Sequence, residues 1–127
     1  MGRLSELFER KKKNVLNVYF TAGFPERNST VPIMESLQRA GTDLIELGMP
    51  YSDPLADGPI IQESSMVALS KGMTIAGLLS ELKDFRKKIH VPVILMGYMN
   101  PVLQYGFEKF CKEAAEVGID GLILPDL

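Results

Sequence analysis

The sequence predicts an α/β protein in which a parallel sheet is covered by helices, and three observations support this fold class. Short runs of apolar and β-branched residues recur at 15–21, 44–47, 91–96 and 121–124, as expected for buried strands. The segments between them carry apolar residues at a spacing near 3.6, which is typical of amphipathic helices. Links from helix to strand are short, whereas links after strands are longer and rich in Gly, Pro, Asp, Asn and Tyr. Parallel strands joined by right-handed crossovers produce this alternation.

Four strand–helix steps are compatible with two architectures. An open doubly wound sheet would be complete at 127 residues, whereas a (β/α)8 TIM barrel typically needs about 250 residues. The chain stops at Leu127, directly after the fourth predicted strand and before any helix that could cover it. An open sheet ending there would expose an apolar face and a pairing edge. We therefore expect residues 1–127 to be the amino-terminal half of a single barrel domain, with about its first four βα units.

Three of the predicted helices have a recognisable start or stop. Residues 30–40 have Pro32 in the first turn and Gly41 as the terminating residue. Residues 74–89 carry the clearest apolar stripe, and Thr74 is suited to cap its first turn. The other predicted helices are the charged amino-terminal segment, 60–71, and 107–117 with Gly118 as its stop.

Composition excludes several classes of function. The chain is 46% hydrophobic and 24% charged with a net charge of −2, so it lacks the basic excess that nucleic acids or anionic membranes require. One cysteine, Cys111, and one histidine, His90, cannot form an internal disulfide or a cluster of soft metal ligands. No apolar run approaches the length of a membrane span, and no secretory signal is apparent. We expect a cytoplasmic protein that binds no nucleic acid, membrane or metal.

Glu46 is the first candidate for chemistry. Strand alternation places it with Leu44 on one face of its strand, while Ile45 and Leu47 take the other. On the inner face of a barrel, apolar neighbours would leave this carboxylate poorly solvated, which is the condition for acid and base catalysis near neutral pH. The alternative is a glutamate at an exposed edge of the sheet.

The loop after the second predicted strand carries two further carboxylates, Asp53 and Asp57, on a backbone restricted by prolines. Asp53 directly precedes a proline and is better suited to closing a turn. For Asp57, chemistry and turn capping are equally compatible with the spacing. Polar residues also follow the later strands: Tyr98, Asn100 and Asp126. Together these positions indicate a pocket at the carboxyl ends of the strands.

Local signatures of other chemistries are absent from the sequence. It contains no GxGxxG, GxxxxGK[ST], GxSxG, HExxH or CxxC pattern, so nucleotide-binding, hydrolase and metal-site hypotheses lack support. Cys111 lies on the buried stripe of a predicted helix, where packing explains it better than nucleophilic catalysis does.

Residues 43–59, with the sequence DLIELGMPYSDPLADGP, closely resemble the signature of the tryptophan synthase alpha subunit family. Three other segments match that family in order and spacing: 19–25 (YFTAGFP), 96–101 (MGYMNP) and 124–127 (LPDL). The resemblance covers the whole chain. Tyr51 stands where the family commonly has Phe, which keeps an aromatic ring at that position.

This resemblance implies a barrel that cleaves indole-3-glycerol phosphate to indole and glyceraldehyde 3-phosphate without a cofactor. It also implies transfer of indole to a tryptophan synthase beta subunit in an alpha2beta2 tetramer. By position, Glu46 matches the family's acid/base carboxylate, and Asp57 matches the carboxylate that stabilises the charged indole ring. The loop from Asp53 to Pro59 matches the mobile segment that closes over substrate and faces the beta subunit. Four residues match substrate-binding positions: Tyr19, Met96, Tyr98 and Ile123.

Two alternatives remain compatible with the sequence. One is a different phosphate-substrate barrel enzyme with a similar first half, and the other is a non-catalytic half-barrel that self-associates or complements a partner fragment. Phosphate-binding loops belong to the later strands of such barrels. We therefore expect residues 1–127 alone to be inactive and to associate or aggregate.

Overall fold

A computed structural model describes residues 2–51 and 58–125. Within these ranges, helices alternate with strands along the chain. The strands are β1 (Asn17–Thr21), β2 (Leu44–Gly48), β3 (Val93–Met96) and β4 (Gly121–Ile123). The helices are α1 (Arg3–Arg10), α2 (Thr30–Arg39), α3 (Pro59–Ser70), α4 (Ile75–Glu81), α5 (Met99–Tyr105) and α6 (Phe107–Val117), with a short 3₁₀ helix at Phe85–Lys87.

The four strands form one parallel sheet in the order β1-β2-β3-β4, so each strand pairs with the one before it in the sequence. One row of the register runs from Tyr19 through Glu46 and Ile94 to Gly121. Because side chains alternate across a strand, this row lies on one face, which we call the inner face. The predicted α/β class with a parallel sheet is confirmed.

The other face of the sheet packs against the helices and forms the core. Ile45, Leu47, Val93 and Leu95 are fully buried there, each at 0% exposure. The helices add large buried side chains to the same core: Met34, Leu78, Leu79, Val102 and Phe110. Burying a side chain of this size contributes about 1.5–3 kcal/mol, so the helix-facing side supplies most of the apolar stabilisation.

Several predicted helix ends are confirmed. The Thr74 hydroxyl oxygen accepts a hydrogen bond of 2.9 Å from the backbone N–H of Gly77 and caps the first turn of α4. Gly41 and Gly118 follow α2 and α6 with φ of +97° and +106°, a left-handed backbone that glycine adopts without steric cost.

The prediction of one continuous helix over 74–89 is wrong. Helix α4 ends at Glu81, and Asp84 adopts φ +66° before the short 3₁₀ helix begins. This break turns the following segment so that Phe85 and Ile89 become buried in the core, at 2% and 0% exposure. An apolar stripe at helical spacing does not distinguish one long helix from two short ones when both bury the same side.

The segment after the third strand contains a helix that the sequence pattern did not predict. Residues Met99–Tyr105 form helix α5, with Tyr98 as the residue before its first turn. Pro101 lies within its first turn, where a missing N–H costs no helical hydrogen bond. Buried Val102 anchors the helix to the core.

Charged side chains hold the amino ends of the strands together. Arg86 donates to the backbone oxygens of Gly118, at 2.9 and 3.0 Å, and of Val91, at 2.6 Å, and it forms an ion pair with Asp120. Asp120 accepts a further hydrogen bond of 2.9 Å from the N–H of Val93. Burial lowers the pKa of Arg86 to about 10, and the charge of Asp120 opposes that change. These contacts fix one end of the sheet and leave the carboxyl ends of the strands for a site.

Asp43 plays a similar part before β2. Its Oδ2 accepts hydrogen bonds of 2.8 Å from the backbone N–H of Leu16 and from the Lys11 ammonium. The hydrogen bond from Leu16 and then that from Lys11 lower the pKa of the Asp43 carboxyl below its ordinary value. Asp43 therefore ties the chain before β1 to the start of β2.

Candidate active site

Glu46 lies on the inner face of β2, half-buried, as the alternation of the strand predicts. It is the only acidic side chain in the four described strands. Its Oε2 accepts a hydrogen bond of 3.0 Å from the side-chain amide of Asn17, the first residue of β1. Because Asn17 is in register with Leu44 and not with Glu46, the carboxylate is drawn towards the amino end of the sheet. The alternative of a glutamate at the edge of the sheet is wrong, since β2 is flanked by β1 and β3.

Tyr19, the register partner of Glu46, covers the end of β2. A Cβ built on Gly48 would lie 2.5 Å from Cζ of the Tyr19 ring. Only a glycine leaves room for the phenol at this point, because real Cβ atoms do not approach other atoms so closely. Gly48 therefore permits the aromatic ring to lie beside the carboxylate on the same face of the sheet.

Met96 and Ile123 are opposite each other in the register and belong to the same inner face as Glu46 and Tyr19. Ile123 keeps 37% of its surface exposed. These four predicted residues thus come together as a mixed apolar and aromatic surface around one carboxylate, which suits a flat apolar ring with one reacting polar centre.

Tyr98, the remaining predicted substrate-binding residue, is buried at 4% exposure just beyond β3. Its ring packs against that of Tyr51, with centroids 5.3 Å apart and a 33° angle between the planes. The amide of Asn100 donates a hydrogen bond of 3.2 Å to the Tyr51 hydroxyl. The segment after β3 is therefore joined to Tyr51 in the segment that follows β2.

A buried hydroxyl pair joins β1 to α3. The side-chain oxygens of Thr21 and Ser64 are 2.7 Å apart, and the Ser64 hydroxyl lies 2.9 Å from the backbone oxygen of Ile61. The segment after β2 leads directly into α3, so this contact fixes the helix at which that segment ends.

Three residues singled out in the sequence lie outside the described part of the chain: Asp53, Asp57 and Asp126.

Sequence reasoning missed Asn17, Thr21 and Ser64. The spacing of Asn17 and Tyr19, two apart in one strand, places both on the face of Glu46 once the register is known. The prediction of the strands does not specify the register between β1 and β2, so it gives no partner for the Asn17 side chain. The pairing of Thr21 with Ser64 spans 43 residues and leaves no local signal in the sequence.

Within residues 2–51 and 58–125, no three or more His, Cys, Asp or Glu side chains converge in a way that could hold a metal ion. None of the helices in that part of the chain is both long and apolar enough to cross a membrane.

A parallel sheet in chain order, with a carboxylate and aromatic side chains on its inner face, defines this protein as half of a (β/α)8 barrel. A profile of the family described as tryptophan synthase alpha chain matches residues 5–127. The chain belongs to the tryptophan synthase alpha chain family, and it corresponds to the amino-terminal half of that protein.

Individual relatives agree with this assignment. The chain is 50% identical over 127 residues to the tryptophan synthase alpha chain of Parabacteroides distasonis and 54% identical over 127 residues to that of Flavobacterium psychrophilum. These matches cover 49% and 50% of the two relatives. The chain thus spans about half the length of the curated relatives it matches.

Solved structures show the same half-length match. The subunit alpha of tryptophan synthase from Legionella pneumophila superposes with a TM-score of 0.94 at 42% identity, over 100% of this chain and 50% of that chain. Tryptophan synthase from M. tuberculosis, in its aminoacrylate-bound form, matches with a TM-score of 0.91 at 35% identity, over 100% of this chain and 53% of that one.

Proposed function

We propose that the full-length protein containing these residues cleaves indole-3-glycerol phosphate to indole and glyceraldehyde 3-phosphate in tryptophan biosynthesis. The observation that carries this proposal is the position of Glu46. It is the only acidic side chain of the four described strands and lies on the inner face beside Tyr19. The reaction is a retro-aldol cleavage by a lyase of the tryptophan synthase type, and it needs acid and base catalysis but no cofactor.

Glu46 exchanges two protons in this scheme. The protonated carboxyl donates to carbon 3 of the indole ring, which places a positive charge on the ring system. The resulting carboxylate then accepts the proton of the glyceryl hydroxyl. The bond between carbon 3 and the glyceryl carbon breaks, its electron pair returns to the ring, and the hydroxyl carbon becomes the aldehyde. One residue therefore ends each cycle in the protonation state in which it began.

Asp57 supplies the opposing charge. A carboxylate at the ring nitrogen stabilises the positively charged ring that protonation creates, and such stabilisation is strongest in the transition state. Tyr19, Met96, Tyr98 and Ile123 hold the indole ring, because aromatic and apolar side chains match its faces.

The beta subunit is the proposed partner, with the loop from Asp53 to Pro59 at the contact. Exposed apolar side chains on α3 and α5 support this assignment. Ile60, next to the loop, is 81% exposed, and Leu103 on α5 is 58% exposed. Both helices begin at the carboxyl side of the sheet, and exposed apolar groups at one side of a protein favour a protein–protein contact. Replacing Ile60 by Asp is expected to weaken binding of purified beta subunit in a calorimetric titration, without lowering indole release by the alpha chain alone.

Residues 1–127 are proposed to be half of one barrel domain in the cytoplasm and to be inactive by themselves. Half of the length of the matched relatives lies outside this chain, and barrels of this type bind phosphate on loops after their later strands. Sedimentation and an assay of the isolated chain test this: a soluble monomer that releases indole contradicts it.

The proposed activity is tested by replacing Glu46 with Gln in the full-length protein. Gln keeps the size of the side chain and cannot exchange a proton, so cleavage is expected to fall by about 10²- to 10⁴-fold. The control is Glu63→Gln, which changes an exposed carboxylate on α3. Normal turnover in a folded Glu46→Gln protein would remove Glu46 from the mechanism, and absence of indole release from the unaltered protein would refute the proposed function itself.

A further inference from the structure

We propose that Asn17 is a positioning residue for Glu46, holding one carboxylate oxygen so that the other is the oxygen that exchanges protons. This inference rests on the proposed function, because it assigns a role to Asn17 through the acid/base group. The observation behind it is the hydrogen bond of 3.0 Å from Nδ2 of Asn17 to Oε2 of Glu46.

The two residues meet because of the register of β1 and β2. Tyr19 is opposite Glu46, and Asn17 lies two residues earlier on the same face, opposite Leu44. Asn17 therefore reaches the carboxylate diagonally from the amino end of the sheet, while Tyr19 occupies the side towards the carboxyl ends. Asn17 is the first residue of β1, so its side chain meets Glu46 from the exposed end of that strand.

The hydrogen bond distinguishes the two carboxylate oxygens. Within residues 2–51 and 58–125, Oε2 accepts from Asn17, whereas Oε1 accepts no hydrogen bond. A glutamate side chain has several rotatable bonds, and anchoring one oxygen restricts them. The free oxygen, Oε1, then has a fixed place from which to give or take a proton.

An amide is suited to both protonation states of its partner. When the carboxyl is protonated on Oε1, Oε2 is a carbonyl oxygen and still accepts the amide hydrogen. When the carboxyl is ionised, the same hydrogen bond becomes charge-assisted. A lysine or arginine at this position would instead favour the ionised form strongly and oppose proton donation. Asn17 thus orients Glu46 throughout the two proton transfers without adding a charge of its own.

The test uses the full-length protein with Asn17→Leu, which keeps a similar volume and removes the donor. If Asn17 orients Glu46, kcat for indole release falls by about 10- to 100-fold, while KM changes by less than about twofold. Asn17→Gln retains an amide donor and is expected to restore part of kcat. The matched control is Asn28→Leu, since Asn28 is an exposed asparagine outside the site and its loss leaves kcat unchanged.

A double-variant comparison separates positioning from general damage. In a Glu46→Gln protein, Asn17→Leu is expected to have no further effect on kcat, because its influence passes through the missing carboxylate. An Asn17→Leu protein with unaltered kcat overturns the proposal, and so does an equal loss of kcat in the presence and absence of Glu46. If Asn17→Leu does not fold, Asn17→Gln is compared with Asn17→Ser, whose side chain is too short to reach Glu46. Equal kcat values in these two variants overturn the proposal. Lack of cleavage by the unaltered protein would refute the proposed function instead, so the two failures are distinguishable.

Discussion

The ring of Tyr19 occupies the space in which a side chain at Gly48 would begin: a Cβ on Gly48 would lie 2.5 Å from its Cζ atom. Gly48 ends β2 and Tyr19 is the middle residue of β1, so the absence of one side chain determines where another can lie. The missing side chain leaves the phenol room to lie at the carboxyl side of Glu46.

Replacing Gly48 by Ala is therefore expected to push the Tyr19 ring out of the proposed site. Because the atoms met are the far end of a half-buried side chain, the ring can move aside, and the unfolding free energy is expected to fall by less than about 1 kcal/mol. The Michaelis constant for indole-3-glycerol phosphate is expected to rise, because the displaced ring belongs to the proposed site. Denaturant unfolding and steady-state kinetics of the full-length protein measure the two effects. Gly2→Ala is the control, since nothing lies within 4 Å of a Cβ at that position. Equal behaviour of the two variants would show that the ring does not depend on Gly48.

Asp57→Asn is expected to slow the chemical step more than it weakens substrate binding. A carboxylate opposite a developing positive charge contributes mainly in the transition state. Single-turnover measurements separate the cleavage rate from the dissociation constant. The control is Asp84→Asn, which removes an exposed carboxylate remote from the inner face. An unchanged cleavage rate with weaker binding would assign Asp57 to substrate binding or to a turn.

Arg86→Leu is expected to destabilise the protein by about 1–3 kcal/mol, because it leaves the buried carboxylate of Asp120 with only the more exposed Arg3 as an ion-pair partner among the described residues. The side chains are only 15% and 7% exposed, so water cannot replace the lost partner fully. The backbone oxygens of Gly118 and Val91 lose their donor as well. Chemical denaturation measures the change, and Lys87→Leu, at a highly exposed neighbour, is the control. Similar stabilities for the two variants would contradict this role of Arg86.

Stability is expected to depend on Asp43 in acid. The folded state holds the pKa of this carboxyl below its ordinary value of 3.8, first through the N–H of Leu16 and then through Lys11. Its contribution is therefore complete above that value and is lost as the pH falls through the lower folded pKa. Unfolding free energies of the original protein and of Asp43→Asn, measured from neutral to acidic pH, are expected to converge as the pH falls. A constant difference, like that expected for Asp84→Asn, would contradict this.

Local sequence patterns predict those elements whose ends are determined by residues adjacent in the sequence. Helix α6 begins and ends where the apolar spacing and Gly118 indicate, and Glu46 lies on the face that strand alternation assigns to it. The break at Asp84 was not predictable in this way, because it serves the burial of Phe85 and the long-range contacts of Arg86. Asn17 became recognisable as part of the candidate site only with the register between β1 and β2.

The order of the strands has a consequence for how this chain assembles during synthesis. Within the described sheet, β2 pairs with β1, β3 with β2 and β4 with β3, so each new strand finds its partner already outside the ribosome. Translation adds about 5–20 residues per second, which is slow compared with the microsecond formation of a helix. Every crossover helix therefore has time to form before the strand that follows it is made, and of the four described strands β2, β3 and β4 each meet a partner that is already synthesised.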